Sequence, residues 1–310
     1  MILASVSLLH LLLLAIFFSL LLPAGGILLS ENSGLKVLIF IIFLASGYQT
    51  GARGLPLDRR LFHIFLAAAA ISLILSPLLG LLMTRLINFP DSLAMGLIII
   101  SAVPPTISSG IVIAEVSRGN AVLALFITVS LNLLGIFTMP FMLDLCLKAA
   151  GPVDIDQIGL LVKMLFFVLL PFAIGKLTRS VSGKSRVSPN WSYVNSGCVI
   201  LVVYGSLAVS KSEFSRLGVG EYAMILASVS LLHLLLLAIN AQAGKMLRLR
   251  PADHKALVFV ASQKTLVIGL AVLANIKYDT GNAIVVCLMF HFFQLFADSF
   301  LASYLQKKSA

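Results

Sequence analysis

The stretch GLIIISAVPPTISSGIVIAEVSRGN, residues 96–120, decides the fold. Its apolar run is long enough to enter a bilayer, and two adjacent prolines stand near its middle. Pro104 and Pro105 remove two backbone donors and crowd the carbonyls one turn before them. The residue ahead of a proline is also driven out of the α region. A helix written this way breaks halfway. Unpaired backbone at membrane depth is tolerated only when it is buried in protein or lines a water-filled cavity. Thr106, Ser108 and Ser109 follow the prolines directly, so the break is a candidate binding site. A proline kink packed inside a helix bundle is the plainer alternative.

The rest of the chain supports membrane embedding. Hydrophobic residues make up 60% of the 310 and charged residues 11%. A soluble domain carries about 25% charged residues, so this chain cannot coat a soluble particle. At about 20 residues per crossing, its length holds roughly ten helices and no separate soluble domain. Apolar stretches predict spans near 2–28, 35–50, 60–86, 92–117, 120–147, 157–178, 191–210, 221–244, 254–276 and 282–305, with turn chemistry between them.

The net charge of +10 does not point to nucleic acid. Basic residues sit in short gaps between apolar runs and make no basic stretch with interleaved aromatics. With both termini inside, 14 Lys and Arg fall in cytoplasmic loops and 6 in outer ones, while Lys163 and Lys264 fall within spans. That bias predicts an N-in, C-in protein of a bacterial inner membrane. Cys146, Cys198 and Cys287 are far apart, lack metal-ligand spacing and read as small buried hydrophobes. No charged segment precedes the first apolar run, so no cleavable signal peptide is expected. MILASVSLLHLLLLAI at 1–16 recurs unchanged at 224–239. Diverged structural repeats do not keep sixteen identical residues, and neither copy enters the functional reading.

Two further spans carry polar groups at mid-depth, where each needs a reason. In KALVFVASQKTLVIGLAVLANI (255–276), Ser262, Gln263, Lys264 and Thr265 interrupt the apolar run. Counted from Asp253, Lys264 lies about 16 Å in at 1.5 Å per residue, near the centre of a core about 30 Å thick. It reads as a functional lysine facing an anion or a proton path, with a structural salt bridge as the alternative. The last span places His291, Gln294 and Asp298 on one helical face. His291 and Gln294 are level with Lys264, and Asp298 is expected to pair with an inner-loop base. His291 as a helix–helix hydrogen bonder is the alternative. Thr128 and Asn132 share a face of the fifth span. No catalytic triad, Walker loop, GxGxxG or HExxH stands in a suitable context, so no enzyme is expected. Beyond sodium or a proton as coupling ion, no cofactor is expected.

Interrupted helices in fourth and ninth place mark an inverted-repeat secondary transporter. SAVPPTISSGIVIAEVSRGN (101–120) with LNLLGIFTMP (131–140) resembles the fourth and fifth spans of the bile acid:sodium symporter superfamily. SQKTLVIGL (262–270) and FHFFQLFADSFLA (290–302) are similar to its SBF-like branch, which includes the seventh member of the bile acid solute carriers. PLLG (77–80) and PFAIGKLTR (171–179) also fit. The resemblance implies ten helices in two inverted five-helix repeats, 1–150 and 151–310. It also implies a panel of spans 1, 2, 6 and 7 and a core of spans 3, 4, 5, 8, 9 and 10, with helices 4 and 9 unwinding and crossing at the site. By position it carries sodium-ligand roles to Ser108, Ser109, Thr128, Asn132 and Gln263.

This chain departs from the sodium-coupled pattern. Phe259 stands where those members have glutamate, Lys264 where they have asparagine, and the third span offers Ser72 and Ser76 in place of a glutamine. An ammonium at the crossing would repel a cation, so Lys264 is expected to stand where sodium would. The expectation is a secondary transporter of a small organic anion working by alternating access in the lipid bilayer. A true sodium symporter and a non-transporting regulatory protein of the same fold are the alternatives. Oligomeric state is not legible.

Overall fold

The computed structural model describes residues 14–15, 17–19, 21–49, 59–107, 109–151, 155–182, 189–274, 276 and 282–308. Among them the chain is all helical, with no strand. The helices are α1 (Pro23–Glu31), α2 (Gly34–Gln49), α3 (Arg59–Ile87), α4 (Asp91–Ala102), α5 (Ser109–Val116), α6 (Ala121–Ala150), α7 (Gln157–Ser182), α8 (Pro189–Val209), α9 (Lys211–Arg216), α10 (Val219–Met246), α11 (Pro251–Ser262), α12 (Leu266–Leu273) and α13 (Ala283–Lys308). Boundaries follow the apolar pattern to within a few residues. Most of the first expected span, the 1–16 copy, and Arg53, Lys184, Arg186 and Lys277 of the loop count lie outside the described residues.

By length and composition, six described segments can cross a membrane: α3, α6, α7, α10, the α11–α12 pair and α13. They become seven if α1 and α2, bent by 80°, form one span. The expected count was ten. The double proline cuts the fourth span into pieces of 12 and 8 residues. At 1.5 Å per residue the longer piece reaches only about 18 Å.

The chain divides into two compact units. One joins residues 3–53 to 158–217 and holds α1, α2, α8, α9 and nearly all of α7. There, α2 and α7 pack backbone to backbone, because Gly47 faces the Phe172 carbonyl and Gly175 faces that of Leu44. Small residues permit such an approach in lipid, where helices associate by close packing. Tyr48 stacks on Trp191 with centroids 4.7 Å apart, and Arg179 donates to the Tyr48 carbonyl at 3.2 Å.

The other unit joins 54–157 to 218–310. Its interior is α4 with the α11–α12 pair, whose side chains are almost all buried. Around them stand α3, α6, α10 and α13, with Leu78 and Leu82, Phe137 and Phe141, and Phe296 and Phe300 exposed at four-residue steps. Apolar side chains turned outward on one face per helix suit lipid as solvent.

Two stretches of this unit run in parallel. A helix of 29 residues, α3, precedes pieces of 12 and 8 residues and the 30-residue α6. The 28-residue α10 precedes pieces of 12 and 8 residues and the 26-residue α13. Asn88 (φ 51°) and Arg248 (φ 48°) turn left-handed at matching places after the long helices.

Between α5 and α6, Asn120 caps α6 by accepting from the Val122 and Leu123 N–H groups at 3.1 Å. Its own N–H donates to the Ala252 carbonyl and its amide to Asp253. Lys255 Nζ reaches the Ser117 carbonyl at 2.7 Å.

Gly47→Val forces a side chain into the Phe172 backbone and should lower stability by about 2 kcal/mol or more. Gly220→Ala, in open space, should leave it within about 0.5 kcal/mol. Thermal melting of the detergent-purified protein checks both.

Candidate functional site

The site is the place, inside the second unit described, where α4 and α11 both stop. After α4, Val103 turns extended (φ −68°, ψ 150°), and Pro104 to Thr106 form no helix. After α11, Gln263 is likewise extended (φ −76°, ψ 157°), and helix resumes at Leu266. The two breaks touch: the Thr265 N–H donates to the Pro104 carbonyl at 2.9 Å. This backbone bond joins the two interrupted segments at their breaks.

Several of the freed backbone groups find partners elsewhere in the unit. Helical register would give the Ser101 carbonyl the N–H of residue 105, but Pro105 has none. The Ser76 hydroxyl donates there instead, at 2.7 Å. Asn132 Nδ2 donates to the Pro105 carbonyl at 2.9 Å and to Thr128 of its own helix at 2.8 Å. One turn further along α6, Gly135 lets the helix lie against the Pro104 ring, which a Cβ there would meet at 3.0 Å. On the α11 side, Gln294 clasps the Lys264 peptide. Its Oε1 accepts from the Lys264 N–H and its Nε2 donates to the Lys264 carbonyl, both at 2.8 Å. Gln294 Nε2 also donates to His291 Nδ1 at 2.9 Å, which makes that nitrogen the unprotonated one.

The side chains of the breaks form a second layer. Gln263 Oε1 accepts from Thr106 and from Ser109, the latter at 3.0 Å. Gln263 Nε2 donates to Asp298 Oδ2 at 2.7 Å, and Asp298 Oδ1 pairs with His233 Nε2 at 2.8 Å. A continuous polar chain therefore links α10, α13 and both breaks. Gln263, Asp298 and His233 are each fully buried. Lys264, also fully buried, turns away from this chain toward α3, where its Nζ donates to the Ser72 carbonyl at 2.5 Å and the Ser72 hydroxyl at 3.2 Å.

The expected site residues thus fall into groups. Thr106, Ser109, Gln263 and Thr265 meet at the crossing. Asn132 supports it from α6, with its own Oδ1 buried and without a hydrogen-bond partner among the described residues, while Thr128 accepts from Asn132 through its carbonyl and turns its hydroxyl back to Ala124. Lys264, Gln294 and His291 form the adjoining group. Ser262 accepts from Asn240 Nδ2 at 3.0 Å rather than facing the crossing. Ser108 lies outside the described residues.

Asp298 differs from the expectation. Its partner is a histidine inside the bundle, not an inner-loop base, because its helical face points at α10. His233 was passed over because it lies in the 224–239 copy, and Asn240, one residue beyond that copy, was not singled out. A buried histidine between leucines was the available signal.

The chain matches the SBF-like CPA transporter family over residues 6–307. A chloroplast protein of Arabidopsis thaliana, named as the sodium/metabolite cotransporter BASS4, is 30% identical over 91% of this chain and 68% of its own length. An Escherichia coli K12 protein named as a symporter, YfeH, is 26% identical over 96% of this chain and 91% of its own. Mouse sodium/bile acid cotransporter 7 is 24% identical over 80% of this chain and 75% of its own.

Replacing Gln294 by Leu strands both polar groups of the Lys264 peptide. Asn132→Leu strands the Pro105 carbonyl. A buried group left unpaired costs about 1–3 kcal/mol, so each variant should melt well below wild type. Ser303→Ala, which loses one exposed helix-surface bond, should not.

Proposed function

Because the chain belongs to the SBF-like CPA transporter family and is therefore an integral membrane transporter, we propose that it moves a small organic anion by alternating access and carries Lys264 as a resident cation where sodium-coupled relatives bind an ion. Two interrupted helices crossing inside one compact unit support the transport reading. The parallel stretches α3–α6 and α10–α13 support two inverted five-helix repeats, 1–150 and 151–310, and ten spans with both ends cytoplasmic in a bacterial inner membrane. The division at residues 54, 158 and 218 supports a panel and a core that move as bodies.

The observation that carries the Lys264 reading is where its amine sits. Nζ is out of water and held by two oxygens of Ser72. Sodium wants several hard oxygens, commonly including a carboxylate; here the residue one turn before Gln263 is Phe259, fully buried. An amine bound to the backbone contributes one positive charge that needs no gradient to fill it. That charge, with the N-terminal ends of α5 and α12 at the crossing, favours an anion as cargo. The named cargoes of relatives, a metabolite and a bile acid, are compatible with this class.

One observation favours the second reading, a sodium-coupled symporter. Asn132 Oδ1 is buried and has no hydrogen-bond partner among the described residues, which suits an amide oxygen beside the break that takes a cation. Ser109, Thr128 and Gln263 would be its neighbours in that case.

Thermal melting in sodium chloride against choline chloride at equal ionic strength separates the two. Under the resident-cation reading the wild type melts at the same temperature in both salts, and Lys264→Ala gains stabilisation from sodium. A cation present at about 100 times its Kd contributes about 2.7 kcal/mol. Sodium stabilisation of the wild type that is lost in Asn132→Ala would establish the symporter instead. Liposome uptake of taurocholate, a bile-acid probe, with and without a sodium gradient provides the transport readout.

A further inference from the structure

Resting on the resident-cation reading of Lys264, we infer that Pro77 is the positioning residue for that lysine. By holding one turn of α3 in π geometry, it presents the Ser72 carbonyl as the receptor of the ammonium.

The argument starts from backbone donors. Residues Ala70–Leu75 of α3 form a π turn, closed where the Ser76 N–H bonds the Ile71 carbonyl five residues back. In α register the Ser72 carbonyl would take the N–H of Ser76, which is already spent on Ile71. In π register it would take the N–H of residue 77, which is proline and has none. Neither register supplies Ser72 with a backbone donor. An exposed carbonyl of this kind could turn to water, but Ser72 is fully buried. The donor it receives is Lys264 Nζ at 2.5 Å, from a residue 192 positions away. The hydroxyl of Ser72, 3.2 Å from the same nitrogen, is the weaker second contact.

The same proline explains the turn itself. In an unbroken α-helix its ring would collide with the carbonyl of Leu73, four residues earlier. Widening the turn to five residues relieves that collision, and π turns of this kind sit at functional sites. The construction recurs at Leu165–Leu169, closed by the Leu170 N–H on the Leu165 carbonyl immediately before Pro171. Two of the helix-interior prolines, Pro77 and Pro171, thus follow a π turn, whereas Pro140 stands inside α6 without one.

α3 therefore serves both breaks from positions one turn apart. Ser76 donates its hydroxyl to Ser101, whose own donor was removed by Pro105. Ser72 accepts from Lys264, a residue of the second break. The ammonium's place is set by a missing N–H on another helix rather than by a counter-ion.

A double-mutant cycle on the full-length purified protein tests this, with melting temperature as the readout. Pro77→Ala restores a backbone donor at residue 77 and lets the turn relax to α register, so Ser72 no longer waits for the amine. In the wild-type background it should lower Tm by about 2 °C or more, the shift expected when a buried group loses its partner in a protein of this size. In a Lys264→Met background the same change should cost nothing or raise Tm, since a proline has been removed from a helix that no longer receives an ammonium. Ser72→Ala, which keeps the carbonyl, should cost less than Pro77→Ala.

Equal cost of Pro77→Ala in both backgrounds, or a neutral effect in wild type, overturns the inference. If the single variant fails to fold, folding of the double variant supports the inference, and failure of both overturns it. The salt comparison on Lys264→Ala judges the resident-cation reading separately. A coupled cycle without sodium binding keeps Pro77 as the positioning residue and removes the cation role. An additive cycle with sodium binding does the reverse.

Discussion

Backbone amides and carbonyls inside a bilayer have no water to turn to, and that constraint organises this molecule. The chain violates helical pairing twice at mid-depth, and the rest of the surrounding unit repairs the violations. Ser76, Asn132, Gln294 and the Thr265 N–H each meet a group that a proline or an extended residue left open. Four helices bearing lipid-facing leucine and phenylalanine surround that repair and keep it dry. The polar residues of this transporter are therefore mostly structural at first contact. Their functional meaning comes from holding two non-helical segments against each other at a depth where nothing else could.

The same dryness governs the charges. A buried amine on Lys264 and a buried carboxyl on Asp298 extend from neighbouring parts of one network but turn opposite ways. Asp298 is braced by His233 and Gln263, and Lys264 by Ser72. Charged groups out of water are costly unless paired and hydrogen-bonded. Here each side chain has at least two hydrogen-bonding contacts. The buried amine and the buried carboxyl each tie a break to a neighbouring helix through the unit's own hydrogen bonds.

Much of the site was legible because its causes are local. Paired prolines at 104 and 105 announce a break wherever they stand in a helix. The interruption Ser262–Thr265 in an otherwise apolar run does the same. Depth follows from counting residues at a fixed rise, so Lys264, His291 and Gln294 could be put on one level. What could not be read was direction. The lysine was expected to face an anion or a proton path, and which helix its amine reaches, the π turn of α3, no local pattern gave. Asp298 was assigned a loop partner and found one in His233, on a helix set aside because its sequence is duplicated.

By itself, then, the sequence determined that the chain crosses a membrane, that two of its helices break and roughly where, since hydrophobic length, missing amide protons and rise per residue are properties of consecutive residues. Only the tertiary structure decided which groups repair the breaks. The partners of Ser72, Pro104 and Asp298 lie 192, 161 and 65 positions away. Hydrogen bonds depend on which way side chains face once helices have packed, and no local pattern encodes that.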